Sequence, residues 1–245
     1  MSTRNKILAG VVVILFVCLV VWVVRTTPKE PPPIEKFDPP TVMEYEGNTL
    51  TEEKDGKIIW ELTCDKMRVD SITQDMELTN VRGKFYDDDD ETWNLTAERG
   101  IYDRTEQIIY VEGEVVITNT DNDKLTSDEL TWLIEKQTLN AVGNVNVTNE
   151  DGARVIADKL EWFTAEDKII ATDNVDIIND DGARLLSDKL EWLMAEEKVI
   201  ATGNVKISKD DMRGYGDFAY AENNFKKFGL MGNAKVLKGV KEGDF

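Results

Sequence analysis

Apolar and polar residues alternate strictly in short stretches along most of the chain. In Val199–Ile207 the odd positions are apolar or small, and the even positions between them are mainly polar. A period of two predicts a β-strand with one apolar face. Similar stretches are separated by polar turns such as Asn179-Asp180-Asp181-Gly182, in which Asp-Gly supplies the positive φ of a tight hairpin. The pattern predicts an all-β, antiparallel meander of roughly twelve to fifteen strands.

The alternation recurs every thirty residues, with two strands in each repeat. The repeats lie near 94–123, 124–153, 154–183 and 184–213, and the last two are identical at 17 of 30 positions. A weaker copy is predicted to end at Gly83 and Phe85, and another to begin near Asp217 and end at Gly232, Asn233 and Val236. Repetition at this period is typical of architectures in which each unit buries its apolar face against the next.

The first strand of each repeat changes parity. Leu185 and Ser187 occupy odd positions, whereas Leu190 and Trp192 occupy even ones. A β-bulge at Asp188–Lys189 would absorb the extra residue and bend the strand, and the same change occurs at Asp128–Glu129 and Asp158–Lys159. Each repeat is therefore predicted to hold one kinked and one straight strand. A parallel β-helix is the alternative fold.

The N-terminal region has a different pattern. Residues 7–24 form an apolar run that spans about 27 Å as a helix, which is enough to cross a bilayer once. The run predicts a transmembrane helix at 7–24 with residues 1–6 in the cytoplasm. A cleaved signal peptide is the alternative, although Trp22, Val23 and Val24 are not the small residues of a cleavage site. All six prolines lie between 28 and 40, so a stiff linker is expected at 25–41, followed by one domain at 42–245.

Composition and charge exclude several function classes. The chain has 48 acidic and 29 basic residues, a net charge of −19 and no histidine. This balance excludes a nucleic-acid surface, and the missing histidine removes the commonest general base and metal ligand. Neither a phosphate-binding loop nor a nucleophile elbow occurs. We expect no enzymatic activity, no cofactor and no metal. The acidic run Asp87–Glu91 is predicted to be a solvated loop, with divalent-cation binding as the alternative.

The candidate binding residues are the apolar positions that recur on one face. Trp132, Trp162 and Trp192 form a column with Tyr102, at about 10 Å per repeat if neighbouring strands lie 4.8 Å apart. Core packing and ligand contact are both open for this column, because in an open sheet the apolar face serves both. The predicted inward set is Leu130, Trp132, Val145, Val147, Leu160, Trp162, Val175, Ile177, Leu190, Trp192, Val205 and Ile207.

The repeated motif resembles a known family. Ser187, Asp188, Leu190 and Trp192, followed by Gly203-Asn204-Val205, resemble the OstA-like domains of lipopolysaccharide export (the LptC/LptA family). The resemblance covers about residues 42–238. It implies an open, twisted β-jelly-roll whose apolar trough shields the lipid A acyl chains of lipopolysaccharide. It also implies contact with an inner-membrane ABC exporter, and with a periplasmic bridge protein or a second copy through edge strands.

These observations lead to one main expectation and two alternatives. The chain is expected to be a single-pass inner-membrane protein, mostly periplasmic, that receives lipopolysaccharide from the exporter and passes it to the bridge. Its repeat region is longer than expected of an anchored component, and a further hypothesis is that the chain combines the roles of anchor and bridge. A structural β-repeat tether without lipid is the first alternative, and a polysaccharide-active enzyme is the second. Open edges are predicted near Thr41–Leu50 and Phe225–Leu237.

Overall fold

The computed structural model describes residues 42–87, 90–222 and 227–239, without the side chains of 87–92 and 223–228. These residues belong to the unit Pro40–Phe245. The predicted anchor at 7–24, the linker at 25–41 and the side chains of Asp87–Glu91 lie outside the described part. Within the described ranges, no helix is both long enough and apolar enough to cross a bilayer.

One antiparallel sheet contains all fourteen strands of the described residues. A single turn of 3-10 helix, Thr164–Glu166, separates the eighth strand from the ninth. The strands are β1 (Val42–Lys54), β2 (Lys57–Asp70), β3 (Met76–Asp87), β4 (Asp90–Asp103), β5 (Ile108–Asn119), β6 (Lys124–Leu133), β7 (Thr138–Thr148), β8 (Arg154–Phe163), β9 (Lys168–Ile178), β10 (Arg184–Leu193), β11 (Lys198–Lys209), β12 (Met212–Glu222), β13 (Lys227–Met231) and β14 (Lys235–Lys238).

The strand order follows the chain, so that each strand from β1 to β13 pairs with the next. Strand β14 also pairs with β12, beside β13: Ala221 is opposite Phe228, and Gly214 is opposite Val236. Together β13 and β14 therefore occupy the place of one interrupted strand. The predicted antiparallel meander is confirmed, and the open sheet fits a β-jelly-roll. A parallel β-helix is excluded because neighbouring strands run in opposite directions.

Every repeat bends at a point that we call the corner. There, one acidic residue lies opposite two consecutive residues of the neighbouring strand that have a left-handed backbone conformation. Lys189 pairs with Thr202 and Leu186 with Lys206, so Asp188 faces both Gly203 and Asn204. The φ angles of this pair are 80° and 47°. The parity change at Asp188 is confirmed, since Ser187 and Leu190 are both buried.

Two details of the predicted bulge were wrong. The inserted residue lies on the neighbouring strands β9 and β11, not at Asp188–Lys189, and the second strand of a repeat is therefore not straight. The sequence hid this insertion because Ala201 and Val205 remain buried four positions apart, which leaves the alternation unbroken. The same correction applies to Asp128–Glu129 and Asp158–Lys159, whose partner strands carry the insertion.

The weaker N-terminal copy, predicted to end at Gly83 and Phe85, has its corner at Asn80. Asn80 has a φ of 53°, and its side chain donates to Asp65 over 2.8 Å. Gly83 lies instead on the inward face, where a Cβ atom would come 3.1 Å from that of Leu95. The predicted C-terminal copy is confirmed, because Asn233 donates to Asp217 over 2.8 Å.

The turns between repeats are stacked by hydrogen bonds. The N–H groups of Ile134, Thr164 and Met194 donate to the carbonyls of Gln107, Gln137 and Asp167 over 3.1, 3.0 and 2.9 Å. Donor and acceptor belong to successive repeats, so the ladder continues beyond the strand ends. This explains structurally why the period is kept at thirty residues.

Candidate functional site

The inner face is the side of the sheet that carries the twelve predicted residues. Six of them, three leucines and three valines, are no more than 4% exposed: Leu130, Val145, Leu160, Val175, Leu190 and Val205. Five others are half-buried: Trp132, Val147, Trp162, Ile177 and Ile207. Trp192 differs from them, with 43% of its surface exposed. The structure thus brings all twelve to one face, and their role in binding remains a prediction.

Large and small residues alternate along the inner face. Leu160 pairs with Ala171, which in turn pairs with Leu190 on the next strand. Ala171 is fully buried and both leucines are 4% exposed, so the small residue lets the leucines on either side pack closely. A second row alternates in the same way, with Ser187 beside Val175. This arrangement follows directly from the repeat.

Aromatic contacts cross the inner face between strands that are not neighbours. Trp60 on β2 and Phe85 on β3 both meet Trp132 on β6 edge-on, with ring centroids 6.4 and 5.0 Å apart. Trp93 on β4 meets Trp162 on β8 at 5.7 Å. In a flat sheet, strands four places apart would be separated by about 19 Å. The contacts therefore require the sheet to bend until two parts of its inner face meet.

We call Trp60, Phe85 and Trp93 the aromatic cover. They are paired in register, Trp60 with Phe85 and Phe85 with Trp93. All three lie at the edge of the sheet where β2 and β4 begin and β3 ends. On β5 the same row reaches Asn119, whose side chain closes the turn by accepting from the Asp123 N–H over 2.7 Å. The aromatic row thus ends at β4.

The inner face has a closed and an open section as a result. A buried cluster from Trp60 to Leu160 fills the closed section, β2–β8. A smaller cluster begins at Ala157 on β8 and continues to Ala219 along the open section, β9–β12. Each aromatic contact with β6 or β8 comes from a strand three or four places earlier. By the same spacing of four strands, the partner of Trp192 on β10 would lie on β6. At β6, however, the row that contains the aromatic cover has reached the Asn119–Asp123 turn. Within the described residues Trp192 has no aromatic partner.

The sequence reasoning missed the aromatic cover. Trp60, Phe85 and Trp93 lie outside the clearest repeats, and their contacts with Trp132 and Trp162 join residues far apart in the chain. One available signal was the length of the strands, because β2 and β4 have 14 residues whereas β6, β8 and β10 have 10.

Charged groups are concentrated on the outer face. Arg99 lies 2.9 Å from Glu112, and the Tyr110 hydroxyl donates to the same carboxylate over 3.0 Å. Burial, together with the hydrogen bond and charge of Glu112, raises the pKa of Tyr110 to about 12. A concavity of about 180 Å³ beside these residues is lined by Glu77, Arg99, Tyr110 and Glu112 among others. This concavity also contacts Leu78 and Ile101, and it opens on the opposite side of the sheet from the predicted trough.

The described residues contain no group of three or more Cys, Asp and Glu side chains arranged to hold a metal. Cys64 is 2% exposed on β2, and burial raises the pKa of its thiol. What the inner face offers is apolar surface. Its removal from water contributes about 25 cal/mol per Å², which suits an aliphatic chain.

Each half of the chain matches a known protein family. Residues 10–161 match the family described as "Lipopolysaccharide-assembly, LptC-related", and residues 124–243 match the "LptA/(LptD N-terminal domain) LPS transport protein" family. No curated protein matches the chain significantly.

A similar solved structure is that of LptH from Pseudomonas aeruginosa, described as the LptA-homologous periplasmic component of the lipopolysaccharide transport device. It is 14% identical, with a TM-score of 0.44 over 48% of this chain and 94% of LptH. The first family match alone covers more than half of the sequence. The chain therefore belongs to the LptC-related family of lipopolysaccharide-assembly proteins.

Proposed function

We propose that this protein is the membrane-anchored periplasmic component that takes lipopolysaccharide from the inner-membrane ABC exporter and passes it along its inner face to the bridge. Family membership supports a role in lipopolysaccharide transport. The observation that carries the finer proposal is the one-sided apolar face, which continues through every repeat of the sheet. Acyl chains would leave water by contact with this face while the sugars stay outside.

The anchor is the second part of the proposal. The LptC-related match begins at residue 10, inside the apolar run at 7–24 that is long enough to span a bilayer as a helix. We place residues 1–6 in the cytoplasm and the bulk of the chain in the periplasm. The proline-rich linker at 25–41 would then hold the domain away from the membrane.

A combined role of anchor and bridge fits the two family matches. The LptC-related match ends at residue 161 and the LptA-type match begins at residue 124, so they overlap by little more than one repeat. The second match falls on the most regular repeats and on the open section. We propose that the N-terminal part receives lipid at the membrane and that the added repeats extend the path.

Edge strands would provide the contacts with partners. Within the part of the chain that the structure describes, strand β1 pairs only with β2, and at the other end β13 and β14 pair only with β12. Unpaired strand edges recruit other strands by β-augmentation. We propose that the β1 edge docks on the exporter, and that the β13–β14 edge docks on the bridge protein or a second copy. A lipid-free structural tether would use the same edges, so lipid binding distinguishes the two functions.

The experiment compares two adjacent isoleucines in the full chain. Ile177 lies on the inner face and Ile178 on the outer face, and both are half-buried. Lipopolysaccharide that co-purifies after mild detergent extraction should fall strongly in Ile177→Glu and remain near the wild-type amount in Ile178→Glu. Circular dichroism melts check that both variants fold. Absence of lipopolysaccharide from the wild type, or equal amounts in the two variants, contradicts the proposal.

A further inference from the structure

The closed and open sections differ in how much room they leave beside equivalent residues. Leu139, Ile169 and Val199 occupy the same position in successive repeats, and each is half-buried on the inner face. Leu139 pairs with Trp132 and Trp162, both of which meet the aromatic cover. Val199 pairs with Trp192 and Ala221. A chain lying beside Val199 therefore meets an exposed indole, whereas one beside Leu139 must displace aromatic contacts.

Strand β12 adds little side-chain volume to the inner face of the open section. Beyond Met212 at its start, its inward positions are small: Gly214, Gly216, Ala219 and Ala221, paired with Ile207, Val205, Ala201 and Val199. Beyond them Leu230 of β13 lies so close that a Cβ atom at Gly216 would come 2.7 Å from its Cδ1. No large side chain of β12 stands between Trp192 and the solvent, so the indole stays accessible.

Charge favours the same section for an anionic ligand. Residues 42–153 contain 10 Lys and Arg against 27 Asp and Glu, a net charge of −17, whereas residues 154–245 contain 14 against 18, a net charge of −4. The repulsion of phosphate or carboxylate groups is therefore much weaker over β8–β14. Exposed charges act over about 8–10 Å at physiological salt, which covers the margin of the inner face.

We propose that the acyl chains of an anionic amphiphile reside mainly in the open section beside Trp192 and Val199, and that the aromatic cover must move whenever they pass through the closed section. This inference rests on the proposed function, because it takes lipopolysaccharide as the amphiphile. The open section is the main holding site of the inner face. The closed section exchanges its aromatic contacts for lipid only when the cover opens.

Photo-crosslinking at matched positions tests the inference. Benzoylphenylalanine replaces Leu139, Ile169 or Val199 in the membrane-embedded full chain, with lipopolysaccharide as the probe and Asn140, Ile170 and Ile200 as outward controls. We expect roughly tenfold more crosslinked lipopolysaccharide at Val199 than at Leu139, the ratio produced by about 1.4 kcal/mol for opening the cover. Ile169 should fall between them, since it pairs with both Trp162 and Trp192.

A second variant tests the cover itself. Phe85 is only half-buried, so Phe85→Ala removes one contact with Trp132 at less risk to folding than a change at Trp60, which is 1% exposed. Crosslinking at Leu139 should rise severalfold in this variant while that at Val199 stays constant. Equal yields at Leu139 and Val199 in the wild type, or no effect of Phe85→Ala, would overturn the inference alone. Absence of crosslinks at every inward position would instead overturn the proposed function.

Discussion

The Asn204 side chain donates a hydrogen bond of 2.8 Å to the Asp188 carboxylate across the corner between β10 and β11. The bond recurs with the repeat, from Asn144 to Asp128 and from Asn174 to Asp158, over 2.8 and 2.7 Å. Asparagine is one of the few residues that accept a left-handed backbone, and here its amide also ties two strands together. The asparagine of the Gly-Asn-Val motif therefore stabilises the corners at Asp128 and Asp188, and Asn174 has the same role at Asp158.

Substitution of Asn204 should separate its two contributions. Asn204→Gly keeps the left-handed backbone and loses the hydrogen bond, whereas Asn204→Ala loses both, so stability should fall in the order Asn, Gly, Ala. A double-mutant cycle with Asp188→Ala should give a coupling of about 0.5–1 kcal/mol, the net value of one exposed hydrogen bond. Chemical denaturation measures it. A coupling indistinguishable from zero would mean that the bond does not contribute to stability.

Gly203 is predicted to tolerate a side chain less well than Gly182. Both are left-handed, with φ of 80° and 79°, but a Cβ atom at Gly203 would lie 2.9 Å from the Asp188 Cβ, whereas nothing lies within 4 Å at Gly182. Gly182→Ala should cost about 1–2 kcal/mol through backbone strain alone. Gly203→Ala should cost clearly more, as measured by urea denaturation. Equal losses would show that the corner adjusts without strain.

The repeat reveals most of the fold but not the way in which the two sections differ. The period of two sufficed for the meander, for its inner face and for the burial of residues such as Leu160 and Val175. It misplaced the inserted residue, because Gly203 and Asn204 leave the parity of the buried positions unchanged. It could not predict the cover either, since Trp93 and Trp162 meet only when the sheet bends. Local alternation carries no information on which distant strands face each other.

Alkaline pH should expose the role of Tyr110. Its pKa is raised from 10.0 to about 12 by burial and by Glu112, so the folded protein holds this proton more tightly than the unfolded chain. The resulting stabilisation is complete below pH 10 and disappears as the pH rises through about 12. Tyr110→Phe should therefore lose less stability than the wild type between these pH values in denaturant titrations. Parallel curves for the two proteins would refute this assignment.

Removal of the C-terminal edge should affect assembly before it affects the membrane anchor. Deletion of the residues beyond Lys226 removes β13 and β14, leaving β12 as a new edge that is not shaped for the partner. We expect loss of complex formation with the bridge protein in pull-down experiments, with membrane insertion intact. Thermal unfolding of the truncated chain serves as the folding control. Full retention of the complex in a folded truncation would exclude this edge as the docking site.

The central claim is that one face of the sheet carries lipid. Trp192 lies on the inner face with 43% of its surface exposed, and Glu191, its neighbour in the chain, lies on the outer face with 29% of its side chain exposed. A photo-crosslinker at Trp192 should capture lipopolysaccharide in living cells, and one at Glu191 should not, with weaker capture at Trp162 than at Trp192. Equal capture at Trp192 and Glu191 would contradict the account.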